Sequence, residues 1–206
     1  MIKKYLKILT VCVATLTIQS CGLDFLDTKP VKNQQVPATL DDFLAILDHT
    51  SLNSFPSYLS MIGAEEFWVT DAGWNNFPLG VQHYQKNAYI WAKNVYEGAS
   101  AQDWDIGHGR ILACNIVLDG LEKYAEEKDK PLYRQIKGTA LFHRARFLYN
   151  LAQIFAPPFI PNNESKYGLP FYLTSAIVEP TYRRSVRQTY EQILSDLLEA
   201  DNFLPE

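Results

Sequence analysis

Residues 132–155 constrain the chain more than any other stretch. Ile136, Ala140, Phe147, Leu151 and Ile154 form one apolar stripe at helical spacing, and Leu141, Ala145, Leu148 and Phe155 form a second. A helix that is apolar on two sides has to be wedged between neighbours, because burying one face alone would leave the other in water. Pro131 suits the first helical position, where its missing N–H is no loss. Pro157 and Pro158 end the element, since proline lacks the donor a continuing helix needs and pushes the residue before it out of the helical region. The chain must therefore supply at least two further elements to flank one long central helix.

Those flanks are legible on either side. Thr39 offers an N-cap, Asp41 and Asp42 fall in the first turn where the helix dipole favours them, and Leu40, Phe43, Leu44 and Leu47 recur at helical spacing. Trp104, Ile111, Leu112, Asn115, Leu118 and Leu121 predict a longer helix, which runs into the charged stretch 122–130. Ser185 and Gln188 make a capping box for a last helix. Its expected core face carries Val186, Tyr190, Ile193, Leu194, Leu197, Leu198 and Leu204, with little downstream to pack against. Between these elements, residues 51–98 lose periodicity. Pro56, Gly63, Gly73, Pro78 and Gly80 punctuate them, so an irregular, aromatic-rich stretch is expected. Residues 159–184 read as an extended connection. The fold class is mainly α, and no strict repeat is visible, so a helical-hairpin solenoid is at most degenerate.

The N-terminus reads as an export signal. Lys3, Lys4 and Lys7 precede an uncharged apolar stretch over residues 8–18, too short to span a bilayer, and Gln19-Ser20-Cys21 follows. Residues 1–20 are expected to be removed, leaving 16 basic and 23 acidic residues. A small residue and then Cys at the end of such a core resembles a bacterial lipobox, with Ile18 and Ser20 in its outer positions and Gln19 a poor match between them. Cys21 is thus the expected lipid anchor. Each buried CH₂ of an acyl chain contributes about 0.8 kcal/mol, so two or three chains hold a protein on a membrane. Residues 21–37 then read as a tether and residues 38–206 as the helical domain. Only Cys114 remains in the body, which excludes a disulfide framework within the chain.

Composition narrows function. The full chain carries a formal net charge of −4 and has no basic excess to neutralise a phosphate backbone, which argues against nucleic-acid binding. No nucleophile elbow, zinc-protease helix, phosphate-binding loop or dinucleotide fingerprint is present. His49, His83, His108 and His143 are scattered, so no metal site is expected. Glu65-Glu66 and Asp103-x-Asp105 are the candidate carboxylate pairs for glycoside hydrolysis, which needs two across a cleft. Adjacent helical residues diverge by about 100°, and a solvated face or an N-cap region is the simpler account of both pairs. Trp68, Trp74 and Trp91 are each expected to pack first, as most aromatics do. Trp74-Asn75-Asn76 has the ingredients of a sugar-binding loop: an indole face for C–H stacking and amides for paired hydroxyls.

Several landmarks stand in one order: Cys21 leading to Phe25-Leu26-Asp27 and Pro30, then Asn115 with Leu118 to Leu121, then 136–145 around Gly138, His143, Arg144 and Ala145. Gly168-Leu169-Pro170, Arg184-Ser185-Val186 and Tyr190, Ile193, Asp196, Leu197 and Ala200 complete the series. In this the chain resembles the N-terminal half of SusD/RagB-like lipoproteins. His143 and Thr139 depart from the usual pattern at helix-packing positions, and His143 is expected to be a satisfied structural residue. The resemblance implies a TPR-like α-helical scaffold, truncated relative to its relatives and anchored by lipid on an outer membrane. It implies a nutrient-binding role beside a SusC-like TonB-dependent transporter, with an oligosaccharide as ligand and with neither catalysis nor a cofactor. Two other readings stay open: a helical scaffold that docks on the transporter without a ligand of its own, and a glycoside hydrolase.

Overall fold

Three long helices carry the fold in the computed structural model, which describes residues 36–54, 58–64, 66, 68–77, 83–161, 166–176 and 181–205. In chain order the helices are α1 (Leu40–Leu47), α2 (Thr50–Asn53), α3 (Tyr58–Ile62), α4 (Asp71–Asn75), α5 (His83–Tyr89), α6 (Gln102–Leu121), α7 (Pro131–Phe155) and α8 (Val186–Asp201). A 3₁₀ turn over Glu122–Glu127 follows α6, and no strand occurs among the described residues. The architecture is therefore mainly α. No helix among them is long and apolar enough to cross a membrane. The expected signal peptide, Cys21 and most of the tether lie outside the described residues.

The central helix is α7, which packs against α6 on one side and α8 on another, while α1 lies across α6 and α7. Ile136, Ala140, Ala145, Phe147 and Leu148 on α7 are fully buried, so both predicted stripes face neighbours. Truncating one such leucine to alanine would cost about 2–5 kcal/mol. The start of α1 is a capping box: Thr39 Oγ1 accepts from the Asp42 amide at 3.2 Å, and Asp42 Oδ2 accepts from the Thr39 amide at 3.0 Å. The Ala38 amide, which also donates to Asp42 Oδ2 at 3.0 Å, holds the Asp42 carboxyl below the usual carboxylate range together with the Thr39 hydroxyl and amide. Pro131 stands at the start of α7, which stops at Phe155 just ahead of the two prolines.

A buried polar network ties the three long helices together. Arg144 on α7 donates from Nε to Asp196 Oδ2 at 2.8 Å and from Nη2 to Asp196 Oδ1 at 2.7 Å, a bidentate pair to α8. Its Nη1 donates to Asn115 Oδ1 on α6 at 3.0 Å, and Asn115 Nδ2 donates to the carbonyls of Tyr172 and Thr174 at 3.0 and 3.1 Å. A charge pair this dry is tolerable only because nearly every lone pair and proton has a partner. Gln192 Nε2 adds a donor to Asp196 at 2.9 Å.

The connection after α7 forms no helix over its described residues, and bends interrupt it at 166, 168 and 173–175. Its two ends pair: the Gly168 amide donates to Arg184 O at 2.9 Å, and the Arg184 amide to Leu169 O at 3.1 Å. A Cβ on Gly168 would strike the Ser185 carbonyl oxygen, so only glycine fits there. Ser185 and Gln188 then form the expected capping box of α8.

The structure corrects the core face of α8. Val186, Thr189, Ile193, Asp196 and Ala200 are buried, whereas Leu194, Leu197 and Leu198 are exposed. Asp196 has to face Arg144, and that requirement turns the leucine stripe outward. Leu204 packs over Gly138, where a Cβ would stand 2.8 Å from the Leu204 Cγ. Phe203 lies beneath the Arg134 and Lys137 cations, at 5.4 and 4.5 Å from its ring centre.

Candidate functional site

The stretch expected to be irregular carries short helices between its irregular segments. Five to seven residues give too little length for a 3.6-residue period to show, and α3, α4 and α5 are of that kind. Helices α3 and α5 pack on each other. Tyr84, buried on α5, donates from its hydroxyl to Gln102 Oε1 at the start of α6 at 2.9 Å, which joins this aromatic region to the long helices. Asn87 Nδ2 donates to Val95 O at 3.0 Å, and Asn94 Oδ1 accepts from the Glu97 amide at 3.1 Å, so side chains stand in for regular structure over residues 90–98.

Tyr89 is the hub. Its hydroxyl oxygen accepts from the Val69 amide at 2.9 Å, and its ring lies 5.9 Å from that of Trp74. Trp91 follows two residues later in the left-handed region at φ 53. Backbone of that kind is uncommon for a bulky residue and gathers at functional sites. Trp91 is 75% exposed and Trp68 is 78% exposed, so neither packs as expected from the sequence. Two solvent-facing indoles are thus held by segments that meet at one tyrosine.

The predicted trio divides. Thr70 caps α4 by accepting from the Gly73 amide at 3.0 Å. The Trp74 ring is half-buried, with Phe77 edge-on at 5.7 Å and Lys86 Nζ at 5.2 Å from its centre. Asn75 is exposed. Asn76 caps the end of α4, where its Nδ2 donates to Ala72 O at 2.8 Å. Rings and amides are therefore present on one small substructure, with Trp68 and Trp91 more available than Trp74. Nothing in the local pattern distinguished an exposed indole from a packed one, because both sit in segments without periodicity.

The other candidate groups take structural places. Asp103 is buried in the first turn of α6 and pushes the Tyr96 phenol up to about 12 together with burial, the larger cause. Asp105 is exposed and accepts from Ser100 Oγ. The N-cap itself is Ala101. Glu66 is exposed, and Glu65 lies outside the described residues. Burial pushes the Cys114 thiol up to about 12, which makes it a poor nucleophile. Among the described residues no group of His, Cys, Asp and Glu could hold a metal ion.

His143 is structural but not satisfied. Only 6% exposed, it stacks on Phe147 with ring centres 6.0 Å apart, and its Nδ1 has no hydrogen-bond partner among the described residues. Burial, with the nearby Arg146 charge, lowers its pKa to about 4, so the ring is neutral at pH 7.

No curated protein matches the chain. A family model described as starch-binding associating with the outer membrane matches residues 24–206. The matched span holds Asn115, Arg144, Gly168, Arg184 and Asp196, the residues whose contacts join the three long helices and the connection between α7 and α8. The chain therefore belongs to the SusD-like family.

Proposed function

We propose that the protein is a surface lipoprotein of the outer membrane that captures an oligosaccharide and delivers it to a SusC-like TonB-dependent transporter, with Cys21 as the lipid-bearing residue. The ligand surface is the aromatic substructure: Trp68 and Trp91 as stacking faces, with Trp74, Asn75 and Asn76 beside them. The observation that carries the reading is the exposure of two indoles on segments braced by Tyr89. Exposing a tryptophan forgoes about 1.5–3 kcal/mol of burial, and a ligand with apolar C–H faces recovers part of it. The family's description as starch-binding supports a glycan as that ligand.

Native affinity electrophoresis in gels containing starch or other glycans tests the reading. The wild-type chain is expected to be retarded in at least one gel, and Trp68→Ala/Trp91→Ala to run as in a blank gel. Unchanged mobility of the wild type throughout would contradict it and favour a scaffold that docks on the transporter without a ligand. The exposed Leu194 and Leu198 are the observation on that second side. Mass spectrometry of the membrane-extracted protein is expected to find an acylated Cys21 at its start.

A further inference from the structure

A second cleft lies away from the tryptophans, where the end of α7 and the first half of α8 form the walls of a space of about 630 Å³. That volume falls within the range of small-ligand sites. From α7 come Tyr149 and Gln153, one helical turn apart. From α8 come Arg187, Tyr190 and Glu191, again on one face. Phe159, just past the two prolines that stop α7, completes the lining. Tyr149 and Phe159 are 47% and 42% exposed, so their rings are available to a ligand.

The rings are fixed by their neighbours. Gln153 Nε2 donates to Tyr190 Oη at 2.8 Å, which leaves the phenol its own proton to donate. Phe159 meets Tyr190 edge-on at 6.0 Å, and the Arg187 guanidinium sits 5.4 Å from the Phe159 ring centre. The cleft thus offers apolar faces, a guanidinium, a carboxylate and a phenol within one space. Opposite charges in the same lining favour neither an anion nor a cation. An apolar helix laid over it would bury Arg187 and Glu191, at a desolvation cost of several kcal/mol per ion. Polyhydroxylated rings instead bring C–H faces to the aromatics and hydroxyls to both charged groups.

We infer that the α7–α8 cleft is a second carbohydrate site, taking a short stretch of neutral glycan independently of the Trp68 and Trp91 surface. The inference rests on the glycan-binding reading above, and its test separates the two. The full chain is titrated calorimetrically with maltoheptaose, cellohexaose and mannohexaose. For at least one probe the wild type is expected to bind at two sites. Tyr149→Ala/Glu191→Gln is expected to weaken one of them about tenfold through loss of a stacking face and a charged acceptor. Trp68→Ala/Trp91→Ala is expected to weaken only the other. All four positions are exposed, and an unchanged circular dichroism spectrum confirms that each variant folds. Wild-type binding that the cleft variant leaves intact and the tryptophan variant abolishes would overturn the cleft while the glycan reading stands. Silence of the wild type toward every probe would overturn both. A dimer in ultracentrifugation that Tyr149→Ala dissociates would also overturn the cleft, because the space would then seat a second chain.

Discussion

Arg144 stands to lose most when its partner changes. Its side chain is 8% exposed and that of Asp196 is 2% exposed, so Asp196→Ala leaves a guanidinium in the interior with its bidentate acceptor gone. The expected loss is about 3–5 kcal/mol, a large share of the 5–15 kcal/mol that holds a domain folded. The double variant Arg144→Met/Asp196→Leu is expected to recover only part of it: apolar side chains of similar size leave no charge to solvate, but Asn115 Oδ1 loses its buried donor. Urea unfolding of both variants at constant slope measures the difference. A loss below about 1 kcal/mol for Asp196→Ala would mean that the pair behaves as an exposed one. His143 adds a pH dependence of definite sign. Its folded pKa lies near 4 against 6.5 unfolded, so between those values the unfolded chain binds the extra proton. Stability is therefore expected to fall as pH drops from about 6.5 to 4, by on the order of 3 kcal/mol from this residue, and to level off from this cause below that. His108, lowered by burial as well, acts in the same direction. His143→Leu is expected to flatten the slope, and a variant whose stability falls as steeply as the wild type would contradict the assignment.

At the scale of elements, what was legible is what is local. The capping boxes at Thr39 and Ser185, the proline start and stop of α7 and the two stripes between them all rest on neighbours within a few residues. The facing of α8 was not legible, because leucine spacing describes one helix while Asp196 answers to an arginine 52 positions away. The short helices α3, α4 and α5 escaped for lack of length, and the exposure of Trp68 and Trp91 depends on Tyr89 and Val69, 20 residues apart. Family landmarks did mark long-range partners, since Gly168 and Arg184 turn out to pair directly. Gly168→Ala tests that pairing. Its Cβ would meet a backbone carbonyl that the α8 cap holds in place, and overpacking of this kind costs about 1–3 kcal/mol. Thermal unfolding is expected to show the loss, with faster hydrogen exchange at the Arg184 amide. Wild-type exchange there would mean that the two ends of the connection pair without needing a glycine.

The molecule as a whole combines a bundle of long helices with a small aromatic substructure. Three long helices, locked through Arg144, give a scaffold. The short helices before them, joined to it by Tyr84 and Gln102, hold aromatic side chains in water. Those side chains are the proposed ligand surface, and the family's description as starch-binding supports a glycan as the ligand. The central claim is that exposed indoles receive a sugar face, and intrinsic tryptophan fluorescence reads it most directly, because Trp68 and Trp91 account for half of the four indoles in the chain. Titration with the glycan that retards the protein in a gel is expected to shift the emission to shorter wavelength and raise its intensity, and Trp68→Ala/Trp91→Ala is expected to abolish the change. Saturable binding with an emission spectrum that does not move would contradict the claim.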